Sequence, residues 1–270
     1  MRYGLFISDF DGTLVRGDGT ISKKNIEAIA KYRKAGGVFA VCTGRMLGSI
    51  LPRLKELDLK EGLVVAYQGA TIADIKTGEL LKNDGFSRGD ALEAVRYLEK
   101  EDHHIHIYTV DELFCNRDDE LLHVYEEICG VKGRVVDIPL SEYMQRHDLS
   151  VVKVLAMIEP EKRDALQERL QRALGERFFA TCSSDWLVEV MPAGQDKSAA
   201  VDFLSEYYGV PRENIAAIGD QLNDLPMLAR AGGRFAVENA QEPLKKIATV
   251  VPSVEEDGVA YAILNYAMGE

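Results

Sequence analysis

The chain has 270 residues, 46% of them hydrophobic and 28% charged, proportions of a globular protein long enough for two domains or one with a large insertion. Its formal charge of −12 repels nucleic-acid phosphates and anionic lipid, so neither is expected as a partner, and an anionic ligand must be held by local positive groups. No run approaches the ~18 apolar residues of a membrane span, the N-terminus lacks a secretion-signal pattern, and Cys42, Cys115, Cys129 and Cys182 form no C-x-x-C pair, so a reduced, cytoplasmic setting is expected.

The first strand organises the rest of the chain. Leu5-Phe6-Ile7-Ser8 is a short apolar run of the kind buried in a parallel sheet, and it ends in Asp9-Phe10-Asp11-Gly12-Thr13. Two carboxylates two residues apart project from the same side of an extended chain. Gly12 lets the backbone turn sharply and brings amide groups near whatever the acids hold. A calcium loop starting at Asp9 would need Gly at its sixth position and Glu at its twelfth, where the chain has Leu14 and Thr20. A divalent cation with a phosphoryl group suits the arrangement better.

A helix is expected from Ser22, with Ile26, Ile29 and Ala30 on one face, ending at Gly36-Gly37. The strand Val38–Cys42 runs into Thr43-Gly44-Arg45, and Cys42 reads as a buried small hydrophobe. A helix over 46–57, disturbed by Pro52, leads to the strand Leu63–Ala66. Strand and helix alternating with short links predict an α/β fold with a right-handed parallel sheet, whose ligands bind beyond the carboxyl ends of its strands.

The pattern changes after Ala66. Residues 71–75 and 79–82 read as a hairpin around Lys76-Thr77-Gly78. Between about 83 and 187 helices are expected at 90–101, 119–128 and 161–174, and strands at 105–109, 113–116, 151–157, 178–182 and 187–190. This α+β block is expected as a second domain inserted into the first. His103, His104 and His106 sit at a helix-to-strand junction without a recognisable set of ligands and are read as structural. The parallel pattern then resumes, with a helix over 197–208, a strand over 215–218 ending in Gly219-Asp220, a helix opening at Gln221-Leu222-Asn223-Asp224, further strands at 235–237 and 249–251, and a terminal helix from Asp257.

Four separated pieces thus converge on one sheet edge: Asp9/Asp11, Thr43, Lys197 and Asp220/Asp224. With Thr43-Gly44-Arg45, Met191-Pro192-Ala193-Gly194-Gln195-Asp196-Lys197 and Gly219-Asp220 through Met227-Leu228 in that order, the chain resembles the haloacid dehalogenase superfamily of phosphohydrolases, closest to its Cof-like branch. The resemblance implies a Rossmann-like catalytic core over 1–82 and 188–270 and an inserted α+β cap, 83–187, that sets substrate specificity. It also implies a phosphoric monoester hydrolase acting on a small phosphorylated metabolite, a sugar phosphate first or a cofactor phosphate such as pyridoxal phosphate or flavin mononucleotide. A phosphotransferase or mutase using the same intermediate, or a non-catalytic phosphometabolite-binding protein, are the alternatives.

In that family's pattern Asp9 is the nucleophile that forms an aspartyl-phosphate, and Asp11 is the general acid and base. Asp9, the Asp11 carbonyl, Asp220 and Asp224 hold Mg²⁺. Lys197 and Thr43, with Gly12, Gly44 and Arg45, contact the phosphoryl group, and Asn223 and Asn239 contact phosphate or substrate. The chain departs from the pattern at Gln68-Gly69, where relatives commonly carry Asn-Gly, and at Ser198, where a glycine is usual. A monomer or weak homodimer is expected.

Overall fold

The computed structural model describes residues 1–269, Ser183 by its backbone alone. The chain divides into two compact units: Met1–Gly44, Leu51–Lys82 and Asp196 onward form the first, and Arg45–Ile50 with Asn83–Gln195 the second.

The first unit begins with β1 (Leu5–Ser8), α1 (Lys23–Lys34), β2 (Val38–Cys42), β3 (Leu63–Ala66), β4 (Thr71–Asp74) and β5 (Leu80–Asn83), and α2 (Leu47–Leu54) is divided between the two units after Ile50. All four residues of β1 are buried, and Phe6 stacks between Phe39 and Phe235 at centroid distances of 6.1 and 6.2 Å. Helix α1 is capped by Ser22, whose side chain accepts the Asn25 N–H. Its buried face is Asn25, Ala28, Ile29 and Tyr32, not the expected Ile26, Ile29 and Ala30. The helix is rotated because Asn25 is pinned inward, accepting the Ala260 N–H at 2.8 Å. Helix α2 is shorter than expected: it ends at Leu54 and passes into a tighter turn, Lys55–Leu57, while tolerating Pro52 inside. The expected hairpin is present as β4 and β5, with Gly78 at φ +74° in its turn.

The second unit contains α3 (Arg88–Lys100), β6 (His104–Tyr108), β7 (Leu113–Cys115), α4 (Glu120–Cys129), β8 (Gly133–Val135), α5 (Leu140–Arg146), β9 (Lys153–Met157), α6 (Pro160–Leu174), β10 (Phe178–Ser184) and β11 (Leu187–Pro192). Its sheet runs β10-β11-β9-β6-β7-β8 and is antiparallel apart from β7 beside β8. One face packs Ile105, Ile107, Val154, Ala156, Val188 and Val190 into a core shared with Ala94, Leu98, Leu166 and Leu170. The opposite-facing residues of β6 are His104, His106 and Tyr108. Strand β8 and helix α5 were not expected; each is short and weakly patterned. His104 and His106 lie within a strand, so a helix-dipole account does not apply to them; His104 is held instead by Asp119 at 3.0 Å.

The first unit then resumes with α7 (Lys197–Tyr208), β12 (Ile215–Gly219), α8 (Leu225–Arg230), β13 (Gly233–Val237), α9 (Glu242–Lys245), β14 (Thr249–Val251) and α10 (Gly258–Ala262). Its sheet order is β14-β13-β12-β1-β2-β3-β4-β5. The strands from β14 to β3 are mutually parallel and β4 turns back antiparallel. The order doubles back at β1, between β12 and β2, and this reversal is where an open parallel sheet leaves a crevice for a ligand. No helix among the described residues is long and apolar enough to cross a membrane.

Candidate active site

The crevice at β1 collects carboxylates from loops far apart in sequence. Asp9 follows β1 directly and is 6% exposed, whereas Asp11, two residues on, is exposed. Between them and Val15 the chain folds on itself: the Phe10 carbonyl accepts from Leu14 and Val15, and Gly12 N–H donates to the Val15 carbonyl at 3.1 Å. Gly12 has φ +77°, and a Cβ there would lie 2.6 Å from Asp220 Oδ2, so only glycine fits. Thr13 Oγ donates to Asp220 Oδ1 at 2.8 Å and ties the two loops together.

Asp220 leaves the end of β12. The turn behind it is closed by Asp224, whose Oδ2 accepts the N–H groups of Asp220 and Gln221, both at 3.0 Å. Gly219 is required at the strand end because a Cβ would meet the Asp224 side chain at 2.5 Å. Lys197 is the first residue of α7, whose start is capped by Asp196 accepting the Ser198 N–H at 2.8 Å. Its side chain is fully buried, and Nζ lies 2.5 Å from both Asp9 Oδ1 and Asp224 Oδ1. One ammonium therefore bridges the ends of β1 and β12.

The charges do not balance within this group. Asp9, Asp220 and Asp224 are all buried and offer carboxylate oxygens within 4.8 Å of one another, against the single Lys197. Burial, reinforced by the Asp224 charge, holds the Asp9 carboxyl well above the usual carboxylate range despite the pull of Lys197. Burial and then Asp224 push Asp220 up to about 6. Burial opposes the Lys197 charge, but Asp224 and Asp9 outweigh it and keep the ammonium protonated well above the lysine range. The site is short of positive charge, and its donors are hard oxygens; both features fit a divalent cation such as Mg²⁺.

The other expected residues divide. Thr43, at the end of β2, is buried and its backbone is fixed: its N–H donates to Val65 and its carbonyl accepts from Gln68. Gly44 packs against Gln68, where a Cβ would stand 2.5 Å from Nε2. Asn223 is buried and donates from Nδ2 to Gln68 Oε1 at 3.0 Å. Asn239 is exposed and spans two backbones, donating to the Gly12 carbonyl at 2.8 Å and accepting the Val254 N–H at 2.9 Å. Its visible contacts pin the Gly12 turn. Arg45 falls in the second unit, where Nη1 donates to Ser49 at 3.3 Å. Cys42 is buried beneath the site, and burial pushes its thiol up to about 12, an inert state.

A profile of the haloacid dehalogenase-like hydrolases matches residues 6–263. The chain belongs to the haloacid dehalogenase-like hydrolases. Among relatives of this hydrolase, a 5-amino-6-(5-phospho-D-ribitylamino)uracil phosphatase of Bacillus subtilis is 31% identical, with 97% of each chain covered. An HMP-PP phosphatase of Escherichia coli is 28% identical over 88% of this chain and 85% of its own. The crystal structure of a Thermotoga maritima protein superposes with a TM-score of 0.82 at 30% identity, covering 97% of this chain and 96% of that one. In this hydrolase, sequence reasoning assigned no role to Thr13, Gln221 or Gln68. Thr13 and Gln221 stand inside the strand-end motifs, but the Thr13 partner lies 207 residues away, where no local pattern points.

Proposed function

We propose that this hydrolase is a Mg²⁺-dependent phosphatase of a small phosphorylated metabolite, a sugar phosphate first, working through an aspartyl-phosphate on Asp9. The observation that carries the reading is Lys197 bridging Asp9 and Asp224 beside Asp220. The names of the relatives, each a phosphatase of a small phosphorylated compound, support the substrate class.

A carboxylate attacking a phosphate monoester meets two like charges, so positioning and charge neutralisation dominate the catalysis. Lys197 holds the Asp9 carboxylate in one orientation and is close enough to it to share an incoming phosphoryl oxygen. Asp9 forms the new O–P bond in line as the bond to the leaving oxygen breaks. Asp11, exposed two residues on, gives its proton to that oxygen and then takes one from the water that cleaves the acyl phosphate and restores Asp9. Thr43 and Gly44 border the phosphoryl position in this reading. Asp224 is occupied by Lys197 and two backbone amides and acts by positioning both. Asp9, Asp220 and the Asp11 carbonyl would hold Mg²⁺, with Asp224 behind them; when bound, the ion offsets the charge on the carboxylates and phosphoryl oxygens.

The inserted unit, 83–187 by sequence, is assigned the specificity role. In support, its sheet turns polar groups to one face, including a buried Lys153–Glu189 pair at 2.9 Å with Lys153 Nζ 4.5 Å from the Tyr108 ring centre. The test is inorganic phosphate release from a panel of phosphorylated sugars, cofactors and nucleotides, with Mg²⁺ and with chelator. Mg²⁺-dependent release is expected. Its absence from every member, in folded protein that binds Mg²⁺, overturns the reading.

A further inference from the structure

Asp11 stands on a stretch with neither helix nor regular strand, although a proton donor must keep one place to be of use. The stretch is nevertheless closed on itself. Beyond the bonds to the Phe10 carbonyl, single bridges pair Asp11 with Val15 and Val15 with Ile21. Arg16 N–H donates to the Thr20 carbonyl and Gly19 N–H to the Arg16 carbonyl, both at 2.9 Å. Asp18 Oδ1 accepts from the Thr20 N–H at 2.9 Å and from its hydroxyl at 2.6 Å. Residues 10–21 thus form one hydrogen-bonded piece, and where Asp11 sits depends on what grips that piece from outside.

The grips come from both sides of β1 in the sheet order. After β13, Asn239 holds the Gly12 carbonyl. After β14, Asp257 Oδ1 and the Glu255 carbonyl accept from Arg16 Nη2 at 2.8 and 3.1 Å. From the other side comes Arg53, in the part of α2 that belongs to the first unit. Its guanidinium lies over the Phe10 ring, 5.5 Å from the centroid, and its Nη2 donates to the Gly19 carbonyl at 2.7 Å. Phe10 is fully buried between Asp9 and Asp11, and Gly19 lies in the turn at the far end. A single side chain therefore touches the root and the tip of the piece that carries Asp11. Arg53 is itself steadied by Glu56, whose Oε1 lies 2.6 Å from Nε.

We propose that Arg53 is a positioning residue for the general acid: by gripping Phe10 and Gly19 it holds Asp11 where its proton meets the leaving oxygen, and so enables the hydrolysis of esters with alkoxide leaving groups. This rests on the phosphatase reading above. As Asp9 forms its O–P bond, the electron pair of the breaking O–P bond passes to the leaving oxygen, which takes the Asp11 proton. An alkoxide leaves poorly without that proton, whereas p-nitrophenolate spreads the charge over its ring and leaves without it. A misplaced acid therefore penalises one class of ester, while a merely loosened fold penalises both.

The readout is kcat/KM, which covers every step through departure of the leaving group. It is measured with Mg²⁺ for p-nitrophenyl phosphate and for whichever of glycerol 3-phosphate, glucose 6-phosphate and pyridoxal phosphate wild type turns over best. Arg53→Leu lowers the ratio of alkyl to p-nitrophenyl ester at least about tenfold, inside the ~10²–10⁴-fold that a positioned acid supplies. Arg53→Lys keeps a cation over Phe10 and a donor toward Gly19, and recovers most of the ratio. Adding Arg53→Leu to Asp11→Asn changes the ratio no further, since the residue acts through Asp11. Should Arg53→Leu not fold, Arg53→Gln, which drops the charge over Phe10, is read in the same way. An unchanged ratio, a Lys variant as impaired as the Leu variant, or a further fall in the Asp11→Asn background overturns this proposal alone. Wild-type release from p-nitrophenyl phosphate but from none of the alkyl esters overturns it as well. No release from any of these esters by wild type overturns the phosphatase reading and this proposal with it.

Discussion

Replacing Asp220 by Asn tests the charge imbalance without relying on turnover. The substitution keeps an Oδ1 acceptor for Thr13 and removes one negative charge from a buried trio. Asp220 is lifted from 3.8 to about 6 by burial and by Asp224. At ~1.4 kcal/mol for each tenfold change in proton affinity, keeping it ionised in the metal-free fold costs at most about 3 kcal/mol. The sign follows from the direction: a raised carboxyl favours folding while protonated. Below pH 3.8 both states hold the proton and nothing is lost. Between about pH 4 and 6 the folded state holds it more firmly, and above 6 the full cost is present.

Metal-free Asp220→Asn is therefore expected to melt up to about 6 °C above wild type at pH 7.5, using ~2 °C per kcal/mol for a chain of this size, and level with it near pH 4. Thermal melts in EDTA from pH 4 to 8 measure the difference. Mg²⁺ then raises the melting temperature of wild type at pH 7.5 but much less that of the variant, because one ligand charge is gone. A difference that does not vary with pH refutes the electrostatic argument. Equal stabilisation of both proteins by Mg²⁺ refutes Asp220 as a ligand.

Lys197→Met leaves Asp9 and Asp224 buried without their ammonium, so it is expected to cost about 3–5 kcal/mol in urea unfolding at pH 7.5 and to abolish phosphate release. Unchanged unfolding would contradict the bridge. Gly12→Ala drives a Cβ to within 2.6 Å of Asp220 at φ +77°, and kcat/KM is expected to fall about 100-fold with a loss of ~1–3 kcal/mol in stability. Full activity in that variant rules out the close approach. Asp9→Asn should release no phosphate yet keep the wild-type circular-dichroism spectrum; residual turnover near the wild-type rate excludes the covalent route. In the second unit, Lys153→Met removes the ammonium that faces the buried Glu189 and should cost about 3–5 kcal/mol, while adding Glu189→Leu restores most of it. A double variant no better than the single one disposes of the pairing.

Much of this site could be read without coordinates, because its parts are strand ends. An apolar run such as Leu5–Ser8 or Ile215–Gly219 is locally encoded, and a parallel sheet delivers the residues after each run to the same edge. Asp9, Thr43 and Asp220 were legible for that reason, whereas Lys197, an ordinary helix-start lysine by local pattern, was singled out by the motif of residues 191–197 that the resemblance rests on. Rotation, pairing and strain lay beyond any local pattern. The turned face of α1 depends on Asn25 reaching Ala260, 235 residues away. Likewise, β8 and α5 are too short to announce themselves and exist by packing. The exposed clamp made by Asn239, the Thr13–Asp220 bond and the strained Gln68 turn are contacts between loops, decided only when the sheet brings those loops together. Sequence by itself determined which chemical groups reach the edge, since strand propensity and order are local. Tertiary structure alone decided which of those groups are buried and whose charge each one feels, because burial and Coulomb interaction depend on distances through space.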